Sequence, residues 1–128
     1  MRLMPLLCLL ASPALAEDVQ LGAQLFGFHC ASCHGAEAKG DGPLGDMLTI
    51  RPPDLTALAA QNDGLFPLEQ VLRTVDGTME IRGHGGPMPV FGFILDGPSV
   101  VMAAPGGGDV MAPTALADIA SWLRSVQE

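Results

Sequence analysis

Two cysteines followed at once by a histidine constrain this chain more than any other feature. They form Cys30-Ala31-Ser32-Cys33-His34 within the stretch FHCASCHG. Three kinds of site use two cysteines at this spacing: a redox-active dithiol, half of a structural zinc site, and the attachment point of a covalently bound haem. Each kind of site needs different support from the rest of the chain, so the surrounding sequence distinguishes them.

The first sixteen residues predict a secretory signal peptide. Met1-Arg2 is a short positive start, Leu3 to Leu10 is apolar apart from one proline, and an A-x-A pattern ends at Ala16. The apolar stretch is shorter than the roughly 20 residues that a membrane-spanning helix needs. We therefore expect cleavage after Ala16, export to the periplasm, no stable membrane insertion, and one mature domain over residues 17–128.

The charge of the chain limits its partners. Six Lys and Arg residues stand against fourteen Asp and Glu residues, which gives a formal net charge of −8. Such acidity disfavours nucleic acid and anionic membranes, and it favours a protein partner with a basic docking surface.

The composition is short of core material. The chain has five Phe, one Trp and no Tyr, but sixteen Gly and eleven Pro. Small domains bury little surface and often depend on a covalent link or a bound group. The composition therefore favours a missing core component, although Ala, Leu, Val and Met are the alternative filling.

Helix signals place the motif at the end of a helix. Asp18 can cap a helix that runs to about Cys30, with one stripe at helical spacing formed by Val19, Gly22, Ala23, Phe26 and Cys30. Further helices are predicted after Asp54, over Leu68–Val75 between Pro67 and Gly77, and from a Thr114 cap onward. The inward residues of the last helix are Leu116, Ile119, Ala120 and Leu123.

One small hairpin interrupts this helical pattern. Its strands are predicted at Ser99–Ala104 and Asp109–Ala112, around a Pro-Gly-Gly-Gly turn. No run of residues supports a βαβ unit, so the sequence predicts an all-α fold with a small hairpin before the last helix.

Haem attachment fits this context best. At a helix end both sulfurs lie on one face, so they can reach the haem vinyl groups while His34 reaches the iron. A thioredoxin-like dithiol would need a βαβ unit, and a structural zinc would need four ligands, for which little but His84 remains. The motif therefore predicts one haem c, bound covalently through Cys30 and Cys33.

An electron-carrying haem iron needs a second axial ligand. Met88 is the preferred residue, because the rigid loop Gly85-Gly86-Pro87-Met88-Pro89 gives its thioether no local packing role. His84 is the rival, which would give bis-histidine ligation, and an open site is a further alternative. His29 adjoins Cys30 and is poorly placed to reach the opposite face of the ring.

Five segments together resemble a family: HCASCHG, GDGPLG, RPPDLT, HGGPMPVFG and IASWLRSVQE. From about Leu21 to Val126 the chain resembles a class I cytochrome c of the small bacterial periplasmic kind. The resemblance implies an orthogonal helical bundle around one covalently bound haem, with thioether bonds from Cys30 and Cys33 and axial ligation by His34 and Met88.

The resemblance also implies roles for residues around the haem. The Pro43 carbonyl would accept a hydrogen bond from His34, and Gly22 and Phe26 would cross the last helix near Ile119 and Trp122. Arg51 is a candidate partner for a haem propionate, with a solvated surface arginine as the alternative.

The function implied is that of a periplasmic carrier of single electrons between redox proteins, not an enzyme. The alternatives are an electron-entry subunit of a larger oxidoreductase and an open-site haem protein with peroxidase-like or gas-binding activity.

Two features depart from the family. Mitochondrial-type members dock partners through a lysine-rich haem edge, whereas Lys39 is the single lysine of this acidic chain. In addition, Phe93 to Pro113 separates the methionine loop from the last helix. That segment is expected either to shield the haem edge or to dock a partner.

Overall fold

The structure, a computed structural model, describes residues 17–79 and 88–128. The predicted signal peptide, His84 and the first part of the methionine loop lie outside the described residues. The helices are α1 (Val19–His29), α2 (Ala31–His34), α3 (Leu68–Asp76) and α4 (Thr114–Ser125), and the strands are β1 (Ser99–Ala103) and β2 (Asp109–Pro113). Short 3-10 turns cover Gly45–Met47 and Leu55–Ala57. Among the helices in these two ranges, none has the length and apolar character to cross a membrane.

Helix α1 begins as predicted. The Asp18 carboxylate accepts hydrogen bonds from the backbone N–H groups of Gln20 and Leu21, at 3.0 and 2.9 Å. Gly22 and Phe26 are buried on its inner face. The predicted stripe included Val19, but this residue is 41 % exposed and does not belong to the buried face.

The contact between α1 and α4 is the main helix packing of the molecule. A Cβ atom at Gly22 would collide with the carbonyl oxygen of Asp118, so only glycine lets the two backbones approach so closely. One turn further on, the Phe26 ring packs against the Trp122 ring with centroids 4.4 Å apart. The predicted crossing of the first and last helices is therefore confirmed.

The start of α4 differs from the prediction. Thr114 is the first residue of the helix and does not cap it through its side chain. Its backbone N–H and its hydroxyl both donate to the Pro98 carbonyl at 2.8 Å. These bonds fix α4 to the residue just before β1. The predicted inward residues of α4 are all buried: Leu116, Ile119, Ala120 and Leu123.

The hairpin forms as predicted, with strand ends that differ by one residue. Strands β1 and β2 are antiparallel, and Val101 pairs with Met111 in the register. Met102 and Ala112 point inward and are buried in the core, whereas Val101 and Met111 are exposed. The fold is thus helical with a small two-stranded sheet, in agreement with the predicted class.

Candidate cofactor site

The cysteines and the histidine lie on one helical turn, as the spacing predicted. Helix α1 ends at His29, and the backbone N–H groups of Cys33 and His34 both donate to the Cys30 carbonyl, at 3.1 and 2.9 Å. Cys30 and His34 are buried, whereas Cys33 is only partly buried. This turn presents two sulfurs and an imidazole from one short element.

The environment of the cysteines does not favour dithiol chemistry. Burial, with a smaller contribution from neighbouring Cys33, raises the pKa of the Cys30 thiol to about 11. Redox-active cysteines instead have lowered pKa values, because the thiolate is the nucleophile. The pair is therefore poorly suited to thiol exchange.

The loop after His34 is hydrogen-bonded to the backbone of this histidine. The Gly40 N–H donates to the His34 carbonyl at 2.8 Å, and the Leu55 N–H donates to the Ala38 carbonyl at 2.8 Å. Gly40 has a φ of +77° and packs directly against the carbonyls of Pro52 and Pro53. These contacts bring the second proline of RPPDLT to the imidazole.

Pro53 and His34 line the same cavity. Burial lowers the pKa of His34, and a hydrogen-bonding contact with the Pro53 carbonyl opposes this effect. Buried Nδ1 finds no acceptor at full hydrogen-bond geometry among the described residues, so the contact with Pro53 is a loose one. Pro43 does not line this cavity. The hydrogen bond from His34 to the Pro43 carbonyl stays a prediction.

An apolar cavity of about 190 Å³ lies in front of this turn. Its walls come mainly from α1, α3 and α4, and Cys30, His34 and Met88 all line it. A larger, open depression of about 720 Å³ lies between the start of α3 and the hairpin turn. None of these three residues lines that depression, so the apolar cavity is the candidate site.

Two polar side chains that line the cavity were not predicted from the sequence. Gln70 and Thr74 lie one turn apart on α3, and both line the cavity among mostly apolar neighbours. Their spacing of four residues indicates a shared position, because residues at i and i+4 lie on one face of a helix. They bring hydrogen-bonding groups to the wall that α3 forms.

The segment after Met88 is hydrogen-bonded to and packed against the end of α3. The Phe91 N–H donates to the Val75 carbonyl at 2.9 Å. Val90 packs on Gly77, and Gly92 packs against the Asp76 carbonyl. These contacts bring half-buried Met88 into the same cavity as His34, although the two are far apart in sequence.

The other methionines and His29 lie elsewhere. Met47 and Met111 are 80 % and 71 % exposed, and Met102 is fully buried beneath the hairpin. The Met79 sulfur accepts a hydrogen bond from Thr74 at 3.0 Å but does not line the cavity. The His29 ring contacts the rings of Phe28 and Phe91. Of the predicted and alternative ligands within the described residues, only His34 and Met88 share the cavity.

Arg51 is not brought to this site. Its guanidinium pairs with Asp46 at 3.1 Å, and both side chains are largely exposed. The contact of Arg51 with a haem propionate stays a prediction, as does its alternative of a solvated surface arginine.

The donors around the cavity fit a haem better than a bare metal ion. Imidazole and thioether are axial ligands of haem iron, and the two cysteines lie beside the imidazole on the same turn. In the two described ranges, no group of three or more His, Cys, Asp and Glu side chains could hold a metal ion by itself. The residues present thus match a haem held by one histidine and one methionine.

Comparison with known proteins supports this class of site. The family model described as Cytochrome c matches residues 19–127. The chain is 32 % identical over 94 residues to cytochrome c6 of Picosynechococcus sp., covering 73 % of this chain and 74 % of that protein. It is 33 % identical over 85 residues to the cbb3-type cytochrome c oxidase subunit CcoP of Rhodobacter capsulatus.

The match to CcoP covers 66 % of this chain but only 24 % of that subunit, so the chain spans about a quarter of that relative. No solved structure matches the chain significantly. A fold of helices around an apolar cavity, with a CxxCH turn on its wall, defines a haem c-binding protein. The chain belongs to the cytochrome c family.

Proposed function

We propose that this protein is a periplasmic carrier of single electrons that holds one haem c among its helices. Cys30 and Cys33 would form the thioether bonds, and His34 and Met88 would be the axial ligands. The observation that carries this proposal is that His34 and Met88 line one apolar cavity from different elements. With both axial positions filled, the iron offers no vacancy to a substrate, so a carrier is favoured over an enzyme.

The residues of the chain have separate tasks in this proposal. The haem, when bound, supplies the exchange of one electron at its iron. The Gly40 N–H holds the backbone carbonyl of His34. The Pro43 carbonyl, by resemblance to the family, would accept a hydrogen bond from the imidazole, which would orient the ring toward a ligand and raise its basicity. The apolar side chains of the cavity exclude water from the iron, which is one way a protein sets a reduction potential.

The size of the cavity has a consequence for electron exchange. Its volume of about 190 Å³ is below the roughly 300–1,000 Å³ of usual ligand sites. The described walls thus enclose less space than a usual ligand site, and we propose that an exposed part of the haem edge passes electrons to a docked protein. The acidic surface favours partners with a basic docking surface.

The similarity to CcoP supports a second candidate function. That relative is an oxidase subunit, and the matched part is a quarter of its length. In this alternative the chain is the electron-entry module of a larger oxidoreductase, with the same haem site. Copurification of the protein with a membrane-bound oxidase would favour it over a free carrier.

Attachment of the haem is the first test. Protein produced with periplasmic haem maturation should keep its haem through acid–organic extraction, because thioether bonds survive denaturation. Cys30→Ser or Cys33→Ser should each cut the yield of haem-loaded protein severely, while Ser32→Ala should mature normally. Haem that extracts freely from the natural protein would disprove the proposal.

The carrier role has its own measurement. The purified protein should be reduced and reoxidised reversibly by one electron, and low concentrations of azide or cyanide should leave the spectrum of the oxidised form unchanged. A spectral shift at such concentrations would show an open sixth position and favour peroxidase-like or gas-binding activity.

A further inference from the structure

The hairpin has one face that residues 17–79 and 88–128 leave exposed. The register and the alternation of burial place five exposed residues on it, which we call the outer hairpin face: Ser99, Val101, Ala103, Asp109 and Met111. Val101 and Met111 lie directly opposite each other and are 61 % and 71 % exposed. They form an apolar pair at the middle of the hairpin.

The opposite face of the hairpin is fixed to the core. Met102 is fully buried and Ala112 is 3 % exposed. The two bonds from Thr114 to the Pro98 carbonyl join the base of the hairpin to α4. Because burial of Met102 and Ala112 sets the register, the apolar pair cannot turn inward without exposing them.

The strands of the hairpin lie outside the cavity. None of the described residues of β1 or β2 lines the cavity that holds His34 and Met88. The outer hairpin face is therefore a part of the surface outside the cavity.

The charged residues of the chain segment that carries the outer hairpin face have one sign. Asp109 lies on the outer hairpin face, and Asp96 is exposed just before β1. The sequence has no Lys or Arg between residues 83 and 123. An apolar centre with acidic neighbours is complementary to an apolar patch that is rimmed by Lys and Arg.

We propose that the outer hairpin face docks a redox partner protein whose own surface has an apolar patch within a basic rim. The proposal rests on the proposed electron-carrier function and adds the location of the docking surface. Val101 and Met111 lose water on docking, and the carboxylates of Asp109 and Asp96 guide the approach of the basic rim. A second copy of this chain is disfavoured because each copy carries a net charge of −8.

Two methionine-to-lysine variants provide the test. Met111→Lys places a cation on the outer hairpin face, and Met47→Lys makes the same change at a similarly exposed site in another loop. The probe is a lysine-rich mitochondrial-type cytochrome c at low ionic strength. Calorimetric titration measures its affinity, and stopped-flow mixing measures the rate of electron exchange.

The expected result is a difference between the two variants. Met111→Lys should weaken binding of the probe about fivefold or more, whereas Met47→Lys should stay within about twofold of the natural protein, since local charge complementarity governs encounter. Asp109→Asn should give a smaller loss and a weaker dependence on salt. The haem spectra of all variants should be unchanged.

Three results would overturn the proposal. The first is equal weakening of binding by both lysine variants. The second is a dimer in sedimentation that Met111→Lys dissociates, which would make a second copy the occupant. The third is binding to neutral phosphatidylcholine vesicles that Met111→Lys abolishes, which would indicate a membrane. A protein that binds the probe at the outer hairpin face but exchanges no electron would refute the carrier function and leave the docking surface intact.

Discussion

The surroundings of each methionine separate the proposed ligand from the other methionines. Met88 lines the cavity together with His34, whereas Met47 faces solvent and Met102 is enclosed beneath the hairpin. All three have the same thioether, which is a weak neutral donor. The contacts of residues 90–92 with the end of α3 make the difference, because they hold Met88 against the cavity.

Met88→Ala tests the sixth ligand. A methionine sulfur favours ferrous iron and raises the reduction potential. Its removal should lower the potential, erase the sulfur-to-iron charge-transfer band of the oxidised protein, and open the iron to cyanide or carbon monoxide. Absorption spectra and redox titration measure these effects.

Met47→Ala is the matched control and should leave the band and the potential unchanged. His84→Ala should also change neither property much. Loss of the ligation signature in His84→Ala, with Met88→Ala intact, would instead make this a bis-histidine cytochrome.

Two glycines of α1 have opposite surroundings. Gly22 touches the backbone of α4 at Asp118, whereas a Cβ at Gly27 would meet no atom within 4 Å beyond its chain neighbours and the backbone of α1. Glycine in a helix interior costs roughly 0.5–1 kcal/mol relative to alanine. Glycine at position 22 lowers the stability of α1 as an isolated helix, but the close crossing of α1 and α4 requires it.

Gly22→Ala and Gly27→Ala test this difference within one helix. Gly22→Ala should lower the free energy of unfolding by about 2 kcal/mol or more, because the new methyl group meets a backbone carbonyl that cannot move aside locally. Gly27→Ala should raise it by about 0.5–1 kcal/mol through helix propensity. Denaturant titration of the haem-loaded protein gives both values, and equal effects would show that the crossing is looser than the structure indicates.

The molecule as a whole is built around the cavity. The buried hydrophobic residues that the structure describes include only two aromatic side chains, Phe26 and Phe66. Phe26, Val71, Ile119 and Leu123 belong to this core and also line the cavity. The helices of the core therefore meet at a space that their own side chains do not fill.

Haem-free protein should consequently lack a cooperative unfolding transition. A bound group that fills the cavity contributes its binding free energy to folding, and the apo chain loses that contribution. Differential scanning calorimetry of Cys30→Ser/Cys33→Ser protein without haem should show a broad, weak transition, with the haem-loaded natural protein as the control. A sharp transition in the haem-free protein would show that the side chains suffice as a core.

Local patterns of the sequence determined the helices and the hairpin. Asp18 caps α1, Gly77 ends α3 in the left-handed region, and the Pro-Gly-Gly-Gly turn joins β1 to β2, because each depends on the conformational preference of a few neighbouring residues. The CxxCH turn was predictable for the same reason, since its geometry is that of one helical turn.

Contacts between distant segments were decided only by the tertiary structure. The sequence indicates Pro43 as the partner of His34 by resemblance alone, whereas the packing of Gly40 on the Pro52 and Pro53 carbonyls places Pro53 at the cavity that His34 lines. Thr114 fits a helix cap by pattern, yet it bonds to Pro98, sixteen residues away. Gln70 is exposed and Thr74 is half-buried, yet both line the cavity, because α3 packs its buried apolar side next to them. Side-chain roles of this kind depend on which surfaces meet when the helices pack, and local preference does not specify that choice.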